Sequence, residues 1–216
     1  MHHSPATTSL DVERPALWWA GLRKLKACFA GVPREEDRIF LFLDLNSSTM
    51  LAEELGHIRY SELLKSCFAD LALSVKKYKA TVYQYVGDEA VLSWGGHLPA
   101  EGVALFFDFE NRLCKRASFY KNKFGCVPTF KASIHGGKVA VTRLGVFRQH
   151  KVYHGDVLNA CARMLEVCRK IGSRLIVSER VANLLEVSDP FIIHWRGSME
   201  WRGKSGSHDL YTVNPY

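Results

Sequence analysis

Short apolar runs of strand type alternate with long helical stretches through most of this sequence, and that order leaves few folds open. Residues 38–45 (RIFLFLDL) form a continuous β-type run. Residues 47–77 have helical periodicity, punctuated at Gly56. Residues 81–86 (TVYQYV) and 89–94 (EAVLSW) are two short strands, joined through Gly87 and Asp88, a hairpin-turn pair. Residues 100–124 read as one helix. Residues 129–135 read as a strand that Gly136 and Gly137 close, with 138–142 continuing the sheet. A strong helix follows at 156–171, with Asp156 as its N-cap. Residues 174–178 (RLIVS) read as a buried strand, and 191–195 and 210–213 finish the sheet. This order predicts an α+β fold, a ferredoxin-like βαββαβ sandwich with extra C-terminal strands.

The first 14 residues are polar. Residues 15–32 place Leu17, Trp18, Leu22, Leu25 and Phe29 at near-helical spacing, with Arg23, Lys24 and Lys26 as a basic side. The segment reads as a helix packed on the domain or its dimer mate, or as a peripheral membrane-surface helix. A polar break at 33–37 divides an N-terminal segment, 1–33, from one large domain, 34–216. Hydrophobic residues make up 47% of the chain, enough to fill a core of that size. The net charge of +7 fits a phosphate-rich partner, either nucleic acid or nucleotide. The six cysteines form no C-x-x-C pair, which argues against structural zinc. Scattered through apolar segments, they read as reduced, buried thiols, so the expected compartment is the cytosol. The longest apolar runs are far too short to span a bilayer.

Two carboxylates stand out against this background. Asp44 lies in an otherwise apolar strand, and Asp88 sits in a tight turn between two apolar strands. Such a carboxylate is costly unless it is paired, hydrogen-bonded or on a metal. Singly, Asp44 reads as a helix cap and Asp88 as ordinary turn chemistry. Together, on neighbouring strand ends, they form an oxygen-only set for two Mg²⁺ or Mn²⁺ ions. Ser47, Ser48 and Thr49 open the next helix, where they act as caps, and the free N–H groups there suit a phosphate. Asn159 and Arg163 lie four apart on one helix face. Spacing alone leaves that pair open between a surface pair and a site.

The runs FLDLNSST (42–49), YVGDE (85–89) and HGDVLNACAR (154–163) resemble the class III adenylyl/guanylyl cyclase catalytic domain. The resemblance extends from about Arg38 to the C-terminus, and three ordered motifs at family spacing carry it. It implies a cyclase fold that turns a nucleoside triphosphate into a 3′,5′-cyclic nucleotide and pyrophosphate. Asp44 and Asp88 resemble the metal-binding aspartates, with the backbone carbonyl of Leu45 as a further ligand. Asn159 resembles the residue that orients the ribose, and Arg163 the one that stabilises charge on the α-phosphate. Lys138 and Arg202 resemble phosphate-contacting residues. The family's active sites lie at a dimer interface, with the aspartates from one subunit and Asn and Arg from the other. A chain carrying both sets is therefore expected to form a C2 homodimer with two sites.

The base-reading positions depart from the family pattern. Gln84 stands where adenylyl cyclases typically carry Lys, and Val152 where they carry Asp or Thr. The Glu and Cys of guanylyl cyclases are absent too. Gln both donates and accepts, so it suits adenine, cytosine or uracil edges. Two readings stand level: a pyrimidine cyclase of the anti-phage signalling kind, using UTP or CTP, and an adenylyl cyclase making cAMP. Outside catalysis, the alternatives are a silent regulatory cyclase-like domain and a ferredoxin-like RNA-binding module. No RNP-type aromatic string supports the latter, so nucleic acid is not the expected partner.

Overall fold

The computed structural model describes residues 33–145, 149–186, 190–200 and 207–216. The amphipathic segment at 15–32 and Arg202 lie outside the described residues. The chain divides into a larger unit, Glu35–Ala140 with His154–Tyr216, and a smaller one that includes Val141–Tyr153.

Strand β1 (Arg34–Leu45) leads into helix α1 (Ser48–Lys77), then the hairpin β2 (Thr81–Val86) and β3 (Glu89–Gly95). Helices α2 (Pro99–Lys115) and α3 (Ala117–Phe124) precede β4 (Phe130–Leu144). These strands lie side by side in the order β2-β3-β1-β4, the order of a ferredoxin-like βαββαβ sheet. Next come β5 (His150–His154), α4 (Asp156–Lys170), β6 (Leu175–Ser178), the short α5 (Glu179–Ala182), β7 (Phe191–Glu200) and β8 (Ser207–Pro215). The sheet extends beyond β4 as β6-β8-β7, and β5 also pairs with β4.

Strand β1 is apolar on both faces because both faces are covered. Ile39, Leu41, Leu43 and Leu45 enter the main core with Leu63, Leu71, Phe106 and Phe109 of α1 and α2. Phe40 and Phe42 are buried on the opposite face, with Asp44 next in that row. There the Cys161 thiol of α4 donates to the Phe40 carbonyl at 3.7 Å. Helix α4 adds its own cluster, Ala160, Met164 and Cys168 against Ile176 of β6.

Four local expectations are corrected. The helix expected over 100–124 breaks at Arg116, whose φ of −100° and ψ of 16° leave helical geometry. Its guanidinium and the Tyr120 hydroxyl both donate to the buried Asp70 carboxylate of α1, each at 2.6 Å. Gly136 and Gly137 do not close a strand: they lie inside the continuous β4, where neighbours come close. A Cβ on Gly137 would stand 2.9 Å from Val157 Cγ2, so the start of α4 packs on bare backbone. The N-cap of α4 is Gly155, with Asp156 in the first turn. Ser47 occupies the N-cap of α1 in the left-handed region (φ 56°), and its side chain caps nothing. Gly56 does interrupt α1, with φ 71° and ψ 162°.

Buried Cys67, Cys161 and Cys168 fit the expected core thiols, whereas Cys114 is exposed. Burial pushes the Cys67 and Cys168 thiols up to about 12, so they stay neutral and unreactive.

Candidate active site

Strand pairing sets two aspartates beside one another. In the β1–β3 ladder Asp44 faces Glu89, the residue immediately after Asp88. Asp88 closes the two-residue β2–β3 turn, and Gly87 takes the positive φ (60°) that such a turn requires first. The crowding shows in proton affinity. Burial, opposed by the Lys131 ion pair and reinforced by Asp88, leaves the Asp44 carboxyl above the usual range. Burial, then Asp44 and Asp88, also raise Glu89.

Lys131 is the residue that sequence reasoning missed. Its Nζ lies 2.6 Å from Asp44 Oδ2, and its side chain is only 8% exposed. The signal was a lone Lys inside the apolar run of β4 (TFKASIH, 129–135). Lys131 is thus a cation on the expected metal ligand. Two neighbouring aspartates, one of them already drawing a buried cation, fit a divalent ion held by oxygens. Among the described residues no set of three or more His, Cys, Asp or Glu converges on one point. The Leu45 side chain is buried in the core, so only its backbone carbonyl is available as a ligand.

Ser47, Ser48 and Thr49 share a cleft with Asp44 and Lys131. The first amides of α1 keep their donor capacity, because no side chain caps this end. Tyr60, also absent from the sequence reading, shares a second cleft with Ser48, Thr49 and Asp88. Burial and the Asp88 charge raise its phenol, against a hydrogen bond with Ser48.

The other expected residues that the structure describes do not line the Asp44 cleft. Asn159 is exposed on α4 and Arg163 is half-buried. Arg163 Nη1 is fully buried with no hydrogen-bond partner, a costly state for a guanidinium unless an anion arrives. It is the opposite end of α4, at Arg169, that lines the Asp44 cleft. Ten residues of helix, about 15 Å, separate it from Asn159. Lys138 pairs with Glu35 at 2.7 Å. It stands seven residues along β4 from Lys131, about 23 Å of strand. Gln84 is exposed opposite Val91, just past a register shift in β2. Val91 faces Phe42, so Gln84, Val86 and Asp44 share one face of the sheet. Val152 is half-buried in β5, inside the smaller unit.

Residues 32–215 match the family model described as the adenylate and guanylate cyclase catalytic domain. Adenylate cyclase 2 of Rhizobium meliloti (strain 1021) is 34% identical over 149 residues, which are 68% of this chain and 41% of that protein. The chain therefore spans less than half of that relative's length. Among solved structures, the adenylyl cyclase CyaB from P. aeruginosa gives a TM-score of 0.74 at 18% identity, covering 86% of this chain and 97% of that one. The guanylate cyclase domain of RhGC from Catenaria anguillulae, in complex with GTP, gives 0.70 at 18% identity, covering 84% and 98%. At such identities these likenesses speak to the fold.

Proposed function

Because the chain belongs to the adenylate and guanylate cyclase catalytic domain family, we propose that it cyclises a nucleoside triphosphate to a 3′,5′-cyclic nucleotide, releasing pyrophosphate. The observation that carries this reading is the Asp44–Asp88 pair beside the uncapped start of α1. Family membership selects this reading over an RNA-binding module. Retention of Asp44, Asp88, Asn159 and Arg163 favours an active domain over a silent regulatory one.

Asp44, Asp88 and the Leu45 carbonyl would hold two divalent ions, Mg²⁺ or Mn²⁺. When bound, such ions supply Lewis-acid activation of the 3′-hydroxyl and neutralise phosphate charge. The amides of Ser47, Ser48 and Thr49 orient the phosphates at the positive end of α1. Asn159 holds the ribose so that the 3′-oxygen points at the α-phosphorus. The unpaired Nη1 of Arg163 meets the charge that develops on the α-phosphoryl group. Lys138 and Arg202 add positive charge toward the phosphates.

A second copy of the chain completes each site. Asn159 sits in the first turn of α4 and Arg163 at its middle, while its last turn lines the cleft of its own Asp44. A C2 homodimer brings the first pair of residues to the partner's aspartates, twice.

Adenine is the base favoured by the likeness to adenylate cyclase 2 of R. meliloti. The pair Gln84 and Val152 favours a pyrimidine, the reading that goes with anti-phage signalling. Among the described residues no helix is long and apolar enough to cross a membrane. The buried, free thiols of Cys67, Cys161 and Cys168 favour the cytoplasm as the compartment. The deciding experiment incubates the chain with ATP, GTP, CTP and UTP in turn, with Mn²⁺, and identifies the product by mass. A cyclic monophosphate from one of them is expected. Its absence from all four overturns the enzyme reading.

A further inference from the structure

The cleft that contains Asp44 has a second wall, opposite the start of α1. It is formed by the end of α4 and the turn after it, and it carries Arg169 and Arg174. Lys131 lines the cleft as well, so its lining holds three cations and one carboxylate, Asp44, already bridged by Lys131. The lining itself is net positive, which attracts an anion, although Arg174 also has a carboxylate partner outside it, Glu110.

The helix dipole accounts for a cation at Arg169, in the last turn of α4. It does not account for Arg174, which lies past Gly172 and Ser173 and faces the same space. The Arg169 side chain has no hydrogen-bond or ion-pair partner among the described residues. Arg174 pairs with Glu110 at 3.0 Å. Burial raises the Glu110 carboxyl, against the pull of Arg174.

We propose that Arg169 and Arg174 form a pyrophosphate subsite. They take the terminal phosphates of the bound triphosphate across the cleft from the α1 amides, and they hold the pyrophosphate left after ring closure. The inference rests on the cyclase reading above and adds residues to it. Arginine suits the task, because its planar fork donates two parallel hydrogen bonds to one phosphate. Arg174 exchanges Glu110 for the ligand, and Arg169 gains its first partner.

The test is calorimetric titration of inorganic pyrophosphate into the full chain with Mg²⁺. Arg169→Gln and Arg174→Gln should each weaken the Kd about tenfold, the usual effect of losing a charged hydrogen bond. Glu110→Gln, which frees Arg174, should tighten it. Arg169→Gln alters an exposed side chain, so it keeps the test sound even where the Arg174 variant folds poorly. Wild-type affinity in both arginine variants overturns the subsite. A chain that makes no cyclic nucleotide, yet loses pyrophosphate affinity in Arg169→Gln, keeps the subsite and removes the cyclase reading. A working cyclase with unchanged pyrophosphate affinity in both variants does the reverse.

Discussion

Lys131 Nζ stands 2.6 Å from Asp44 Oδ2, joining the middle of the sheet to the first expected metal ligand. The pair links two strands that are neighbours in the sheet, β1 and β4. A cation in that place keeps Asp44 from being an uncompensated carboxylate beside Asp88. A divalent ion bound at Asp44 would compete with Lys131 for the same oxygen.

The first prediction follows from that competition. Lys131→Met leaves Asp44 without its counter-charge, at a cost of roughly 1–3 kcal/mol in the metal-free protein. Mn²⁺ should return most of that loss, because it takes over the vacated carboxylate. Melting curves with and without Mn²⁺ check this: the Mn²⁺-induced rise in Tm should be larger in Lys131→Met than in the wild type. Equal rises would mean that Asp44 is not where the ion binds.

The second prediction concerns the divided site. Asp44→Ala and Arg163→Ala should each be nearly inactive and still folded. Mixed in equal amounts and allowed to exchange subunits, they should regain about a quarter of wild-type turnover. Half of the dimers are then mixed, and each mixed dimer has one intact site. No recovery, with exchange shown by mass, would sink the shared-site arrangement.

Strand and helix order was legible in the sequence because periodicity is a local property, and β1, α1 and the β2–β3 hairpin fall where it puts them. The proximity of Asp44 and Asp88 came instead from the family motifs, since it depends on β1 pairing with the distant β3. What periodicity misses is contact at long range. Asp70 draws Arg116 and Tyr120 from 46 and 50 residues away, and the helix breaks there although its pattern runs on. Lys131 reaches Asp44 from a strand whose apolar pattern marked the lysine as odd without naming its partner. The Gly136 and Gly137 pair looked like a stop because a close approach by Val157 is invisible in a one-dimensional pattern.

The third prediction is a pH dependence. Burial alone would raise Asp108, but hydrogen bonds from Lys77, Ser74 and Arg112 outweigh it and pull the carboxyl down to about 2, from an ordinary 3.8. A depressed carboxyl contributes stability above its unfolded value, and that contribution disappears as pH falls from about 3.8 through about 2. Asp108→Asn should therefore melt lower than wild type at pH 7, with the gap closing near pH 2. A gap that stays constant over that range would show that the network's charge contributes nothing.

The last prediction concerns the base. Gln84 shares the face of Asp44, is exposed, and follows a register shift between Val82 and Gln84. A side chain left free at that position, beside the aspartate end of the sheet, is placed to read a substrate rather than to pair within the core. A site that hydrogen-bonds its base rejects the wrong one strongly, because the mismatch leaves buried groups unpaired. Gln84→Ala should therefore lower the kcat/KM ratio between the best and second-best nucleotide by about tenfold, the worth of one such bond, and lower total turnover less. Val152→Ala should change that ratio less, since an apolar contact discriminates weakly. Measuring kcat/KM for ATP, GTP, CTP and UTP in all three proteins decides both points. An equal fall for every nucleotide in Gln84→Ala makes Gln84 a structural residue. A wild-type preference for UTP or CTP assigns pyrimidine chemistry. A clear preference for ATP makes the chain an adenylyl cyclase that reads adenine without the family's lysine.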